Sequence, residues 1–221
     1  MTARTILSKL HGRTAAGVPR WALWAAYAVP LTTTPSCIWR IAGVAGGAPL
    51  LEHRAAPPEG HGPVIFEGPQ YVVALSVLSE VLAFLSFGLI ARWGEVWPRW
   101  VPVLRGRRVP IKAAVVPAGI GATLLLIFPY GLLMSALGLM INGNPDGTVT
   151  HGWQTVVFWV AYGPLAAWGP LVGALTVQYY RRRRATEAAA ATAATEAAAI
   201  PAGTPAAAPA EAWRGEAAVA R

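Results

Sequence analysis

The sequence predicts an all-α protein: a four-helix transmembrane bundle with a disordered C-terminal tail. Of its 221 residues, 55% are hydrophobic and only 13% are charged, which is too little charge to cover a soluble domain of this length. Apolar runs of about 20 residues or more recur, and about 20 helical residues are enough to cross a hydrocarbon core. Of the 18 basic residues, all except Arg40 and Arg54 fall into three segments that these runs separate.

The apolar runs and the basic segments together define the topology. Basic segments lie on the cytoplasmic side of a membrane. Both termini and the loop between the second and third spans are therefore predicted on the cytoplasmic side of the cell membrane. The loops 43–70 and 142–153 are predicted outside, and the first leaves open a short re-entrant or interfacial helix. The predicted domains are a cytoplasmic N-terminus at 1–20, a transmembrane domain at 21–180 with spans at about 21–42, 71–91, 113–141 and 154–180, and a basic stop-transfer cluster with a disordered Ala/Pro-rich cytoplasmic tail at 181–221.

The first span is apolar but carries several polar residues. Pro30 and Pro35 each remove a backbone donor and favour a kink. Hydroxyl side chains between and after them can hydrogen-bond the freed carbonyls. Arg40 lies four residues after Ser36 and seven after Thr33, so the three residues share one face of the predicted helix.

The second span contains one acid, Glu80, near its middle. A charged side chain at the bilayer centre costs about 2.5–3.5 kcal/mol on insertion scales, and such residues face the bundle interior. Ser76 lies one turn earlier on the same face. The predicted intramembrane polar site therefore comprises Glu80, Arg40, Ser76 and Ser36. Two interpretations stay open: a proton or cation carrier with Arg40 as counter-ion, or a structural polar tie.

The loop from Arg92 to Lys112 is basic and rich in tryptophan. Its three indoles are spaced i, i+4 and i+7, which is one face if the segment is helical. Pro98 and Pro102 interrupt a regular helix, so we expect a broken segment lying in the membrane interface, with Glu95 and Arg99 as an exposed pair. The candidate contacts to anionic lipid headgroups are Arg92, Arg99, Arg105, Arg107, Arg108, Trp93, Trp97 and Trp100. The alternative is that this loop only fixes the orientation of the spans.

Small residues mark the last two spans. Gly169 and Gly173 form a GxxxG pattern in the fourth span, which is a possible face for a homo-oligomer. The four arginines at 181–184 form the stop-transfer cluster. Residues 186–199 are Ala-rich and favour transient helix, and the prolines that follow favour disorder.

Several functions find no support in the sequence. The basic residues cluster beside apolar runs, so membrane topology explains them better than nucleic acid does. The single cysteine, Cys37, excludes intrachain disulfides, and Thr34 does not fit a lipobox. His53, His61 and His151 have no recognised metal-ligand spacing. No catalytic motif is found. We therefore predict a protein that is not an enzyme and has no metal, no cofactor and no catalytic residue.

The stretch RWGEVWPRWVPVLRGRRVP, between two apolar spans, resembles a loop of uncharacterised four-span integral membrane proteins of high-GC Gram-positive bacteria. The likeness covers mainly residues 86–120. It implies a membrane-protein family but no activity. The motif is GE-x-x-PRW-x-P, formed by Gly94, Glu95, Pro98, Arg99, Trp100 and Pro102.

These observations predict an integral membrane protein with a structural or accessory role, acting in the lipid bilayer through helix contacts and the basic loop. The alternative is a small oligomeric proton- or cation-coupled transporter that uses Glu80. If that alternative is correct, Glu80→Gln abolishes pH-driven flux in reconstituted vesicles.

Overall fold

The computed structural model describes residues 13–50, 69–97, 106–144 and 152–199, and no strand occurs in these ranges. They form the α-helices α1 (Arg20–Arg40), α2 (Pro69–Leu85), α3 (Ile111–Leu124), α4 (Ile127–Ala136), α5 (Trp153–Tyr162) and α6 (Trp168–Ala199). A π-helical turn at Ile41–Ala45 and 3-10 turns at Ser86–Leu89, Arg92–Gly94 and Gly163–Ala167 extend or join them. The all-α prediction is confirmed for these residues.

Three helical stretches are long and apolar enough to cross a membrane, namely Pro69–Leu89, Ile111–Ala136 and Trp153–Ala199. They overlap the second, third and fourth predicted spans. Helix α1 is not among them, although its 21 residues cover most of the first span, which was predicted at about 21–42. Two prolines, the run of threonines and terminal arginines lower its mean hydropathy.

Helix α1 instead lies at the centre of the packing. It contacts α2, α5 and the 3-10 turn that follows α5. Ala22, Ala26 and Val29 are fully buried and share one face at i, i+4 and i+7. Small side chains at this spacing let neighbouring helices approach closely. The most polar of the predicted spans is thus the most enclosed by protein, which is where polar side chains in a membrane helix are tolerated.

The third predicted span is broken into two helices. Helix α3 ends at Leu124 and α4 begins at Ile127. The cause is Pro129, which has no N–H to bond the Leu125 carbonyl four residues earlier. The Leu125 carbonyl accepts from Phe128 N–H instead, at 3.2 Å. In α3 and α4 together only Ala122 is buried, so this pair of helices lies at the margin of the core.

The fourth predicted span also differs from the sequence interpretation. A 3-10 turn containing Pro164 separates α5 from α6. Helix α6 continues to Ala199, which covers the residues 186–199 for which transient helix was predicted within a disordered tail. The chain divides into a compact unit at 1–183 and a second unit at 184–221, whose described part is helical. Residues 200–221 lie outside the described ranges, as do 51–68. The re-entrant or interfacial helix left open for the loop 43–70 is therefore tested at its start only over 43–50, where 43–45 belong to the π-helical turn and 46–50 are not helical.

The small residues of α6 pack within the chain. A Cβ atom added at Gly169 would lie 3.1 Å from the Ala122 carbonyl oxygen and 3.2 Å from Leu125. At Gly173 it would lie 3.8 Å from the Ala122 side chain. The GxxxG face therefore contacts α3 of the same chain, most closely at Gly169. Homo-oligomerisation itself stays a prediction.

Candidate functional site

The structure brings the polar residues of α1 onto the carboxyl group of α2. The Thr33 hydroxyl donates to Glu80 Oε1 at 2.9 Å and is also 2.9 Å from the Pro30 carbonyl oxygen. Thr33 is fully buried, and one turn later the buried Ser36 hydroxyl donates to the Thr33 carbonyl at 2.8 Å. These contacts form a ladder of polar groups along one face of α1, as the spacing predicted.

Arg40 joins the outer end of this ladder rather than the acid. Its Nη2 donates to Ser36 Oγ at 3.0 Å, and its Nε donates to the Ser36 carbonyl at 3.2 Å. The guanidinium also lies 5.9 Å from the centre of the Tyr162 ring, within cation–π range. Arg40 and Glu80 form no ion pair. The predicted counter-ion is therefore linked to Glu80 indirectly, through Ser36 and Thr33 and through a contact between its Nη2 and the Cys37 sulfur at 3.9 Å.

Ser76 lies beside the acid without bonding it. Its hydroxyl donates to the Val72 carbonyl at 2.8 Å, one turn back in α2. Its own carbonyl faces the Cys37 thiol across the helix interface, with 3.6 Å between sulfur and oxygen. The predicted site residues thus meet at the α1–α2 contact, and Thr33, which the sequence placed on the shared face, supplies the direct bond to Glu80.

A groove opens beside this contact. Its volume is about 510 Å³. Glu80 and Ser76 contribute polar atoms, and the other lining residues are Pro30, Cys37, Ile41, Val77, Val81, Phe84 and Phe87. Val77, Val81 and Phe84 are each close to half exposed, at 57%, 49% and 46%. The Glu80 groove is therefore open at its side along α2.

A second polar cluster joins the basic loop to α6. We call it the loop cap; it comprises residues 13–19, 90–97, 106–110 and Arg182 with Arg183. Arg182 forms an ion pair with Glu95, and its side chain is only 8% exposed. The same guanidinium donates to the Ala16 carbonyl at 3.1 Å and to the Leu89 carbonyl at 3.4 Å. One arginine thus holds three segments of the chain together.

Two glycines allow the backbone of the loop cap to close. At Gly94 a Cβ atom would overlap the Gly88 carbonyl oxygen, and at Gly88 it would lie 2.7 Å from the Trp93 ring. The fully buried Tyr179 donates its hydroxyl to the Gly94 carbonyl at 2.9 Å. Of the first two residues of the loop motif, Gly94 is therefore explained by close packing and Glu95 by its ion pair with Arg182.

The described start of the loop, residues 92–97, is not the regular helix on which a single tryptophan face would depend. Trp93 lies in a 3-10 turn and stacks on Phe84 with ring centres 6.5 Å apart. Trp97 lies in extended backbone, where its N–H donates to the Arg107 carbonyl at 3.0 Å. Arg99, the predicted partner of Glu95, lies outside the described residues, and the described partner of Glu95 is Arg182.

The candidate lipid contacts are only partly described. Among them, Arg92, Arg107 and Arg108 are exposed, and Trp93 and Trp97 are half-buried. Arg99, Trp100 and Arg105 lie outside the described residues. The same is true of His53, His61 and His151; within the described ranges no group of three or more His, Cys, Asp or Glu residues could hold a metal ion.

A scan of protein-family models and searches of curated proteins and solved structures found no match to the chain. The class of the protein therefore comes from its own fold: a helical protein with three helices able to cross a membrane.

Sequence reasoning missed the partner of Glu95. The one signal was that Glu95 is the single acid of a basic loop, which favours a cation nearby. Four consecutive arginines at 181–184 gave no means of choosing Arg182.

Proposed function

We propose that this chain is a four-span integral membrane protein with a non-enzymatic accessory role, exercised through helix contacts and its basic loop. Helix α1 is the additional span. The proposal places both termini and the loop cap on the cytoplasmic side, as the distribution of basic residues favours. The exposed arginines of the loop then face anionic headgroups.

The central position of α1 is the observation that supports this proposal most. Its 21 residues extend about 31 Å at 1.5 Å per residue, which matches a hydrocarbon core of about 30 Å. Residues are buried along its whole length, from Ala22 near one end to Trp39 near the other. A helix packed in this way against membrane-spanning neighbours crosses the same thickness that they cross.

The state of the polar groups supports an accessory role. Most hydroxyls of the four spans bond carbonyls three or four residues earlier in their own helix, including those of Thr32, Ser79 and Thr176. Such bonds use the hydroxyl protons within the helix itself, as polar side chains of membrane helices commonly do. Transport through Glu80 stays a prediction. Beyond Glu80, towards the loop cap, the groove is lined by the apolar Phe84 and Phe87.

Cysteine labelling on either side of α1 tests the four-span arrangement. Ala16 and Ala45 flank the helix and are exposed. In a Cys37→Ala background, Ala45→Cys should react with a membrane-impermeant maleimide on intact cells. Ala16→Cys should react only after permeabilisation. Labelling of both positions from the same side would show that α1 does not cross the membrane, and the four-span proposal would fail.

A further inference from the structure

We infer that the Glu80 groove docks a transmembrane helix of another protein, one that carries a lysine or arginine near the middle of its span. The inference rests on the membrane placement of α1 and α2 proposed above, and it names the kind of partner that the accessory role involves.

The first reason is charge. Glu80 lies eleven residues from the start of the Pro69–Leu89 stretch and nine from its end, so it is close to mid-membrane. Its carboxyl group accepts a hydrogen bond from Thr33 but forms no ion pair with a described cation. Acids at this depth pair with cations or with backbone groups. A basic side chain of another protein can reach the Glu80 carboxyl group through the side of the groove that is open to the bilayer.

The second reason is the shape of the α2 surface. Val77, Glu80 and Phe84 follow one another at i, i+3 and i+7, so they lie on one face, with Val81 beside them. The apolar members are about half exposed. Behind them the groove is lined by the small residues Ser76 and Cys37. An apolar ridge next to small residues is the surface on which membrane helices pack, since dispersion contacts and hydrogen bonds drive their association.

The third reason is that other occupants fit less well. A lipid headgroup lies about 15 Å away, because Glu80 is near the centre of a core about 30 Å thick. A second copy docked symmetrically through this groove would place Glu80 against Glu80, which is unfavourable for like charges. A lysine or arginine on a neighbouring helix has a long, flexible apolar stem, so its charged group can reach the Glu80 carboxyl group across the groove.

The test uses the full chain in phosphatidylcholine vesicles at pH 7, with a donor dye at its C-terminus. Two synthetic transmembrane helices of leucine and alanine carry an acceptor dye; one has a central lysine and the other a central leucine. We expect energy transfer to show about tenfold tighter association of the lysine helix, since a desolvated charge pair is made. Glu80→Gln should remove that preference. Equal association of both helices with the unsubstituted chain would overturn the inference.

A pair of bulky substitutions guards against a folding defect in Glu80→Gln. Val77→Trp places a large ring at the mouth of the groove and should weaken association of the lysine helix with Glu80 still present. Val156→Trp is the matched control, because Val156 is 63% exposed on α5 and does not line the groove. Retained binding in Val77→Trp would contradict docking there. Energy transfer between two copies of the chain, lost in Glu80→Gln, would overturn the inference by assigning the groove to self-association.

The result of the energy-transfer experiment can be distinguished from that of the cysteine-labelling experiment. Failure of the lysine helix to bind, with Ala16 and Ala45 on opposite sides, rejects the docking site and leaves the four-span arrangement intact.

Discussion

Two glutamates of this chain have contrasting surroundings. Glu95, in the loop cap, is paired with Arg182, which is itself bonded to two backbone carbonyls. Glu80, in the Glu80 groove, accepts from the Thr33 hydroxyl and forms no ion pair with a described cation. The first acid has its charge compensated within the chain. The second has a neutral donor and an open side.

The difference indicates which acid is structural. A charge whose partner and hydrogen bonds are all supplied by the fold contributes to the fold, and breaking such a pair is costly. A charged side chain in an apolar setting, with no cation beside it, destabilises the folded chain when no partner is bound. We therefore assign Glu95 to stability and Glu80 to recognition. The predictions below test that assignment.

The largest expected effect is at Gly94. In Gly94→Ala the new methyl group overlaps the Gly88 carbonyl oxygen, and backbone cannot yield as a flexible side chain can. We expect a loss of about 3 kcal/mol in the free energy of unfolding, as for other overpacked sites. Unfolding by SDS in mixed micelles measures it. Gly119→Ala is the control, since nothing lies within 4 Å of a Cβ atom there. A similar loss in both variants would mean that the loop cap is not held by this contact.

Removing Arg182, the ion-pair partner of Glu95, should have the next largest effect. Arg182→Met keeps an apolar stem but leaves Glu95, 22% exposed, without its partner. Because that carboxylate is partly hydrated, we expect a loss of about 2 kcal/mol rather than the larger cost of a fully buried pair. The same unfolding assay applies. The neighbouring Arg181→Met serves as the matched control because Arg181 is exposed, and an equal loss there would contradict the assignment.

The sequence predicted the fold through composition and charge. The predicted spans two to four are mostly apolar, so hydropathy located the start of each helical stretch to within two residues. It could not locate their breaks, because prolines occur both inside helices, as Pro117 does in α3, and at breaks, as Pro129 does. Which outcome a proline has depends on whether neighbouring groups bond the freed carbonyl.

The candidate site was predictable where it depends on one helix. Helical spacing placed Thr33, Ser36 and Arg40 on one face, and the structure has them so. Contacts between distant segments were not predictable. Helical spacing cannot tell that Thr33 rather than Arg40 meets Glu80, or that Arg182, which is distant in sequence, meets Glu95. Those choices depend on how the helices pack.

The comparison of Glu95→Gln with Glu80→Gln tests the central claim most directly, with both free energies of unfolding measured in the same mixed micelles. Glu80→Gln keeps an oxygen that can accept from Thr33, so we predict a change within about 0.5 kcal/mol. Glu95→Gln leaves the nearly buried Arg182 without its counter-charge, so we predict a loss of about 1.5 kcal/mol. A loss at Glu80 equal to or greater than the loss at Glu95 would contradict the division of these two acids into one for recognition and one for stability.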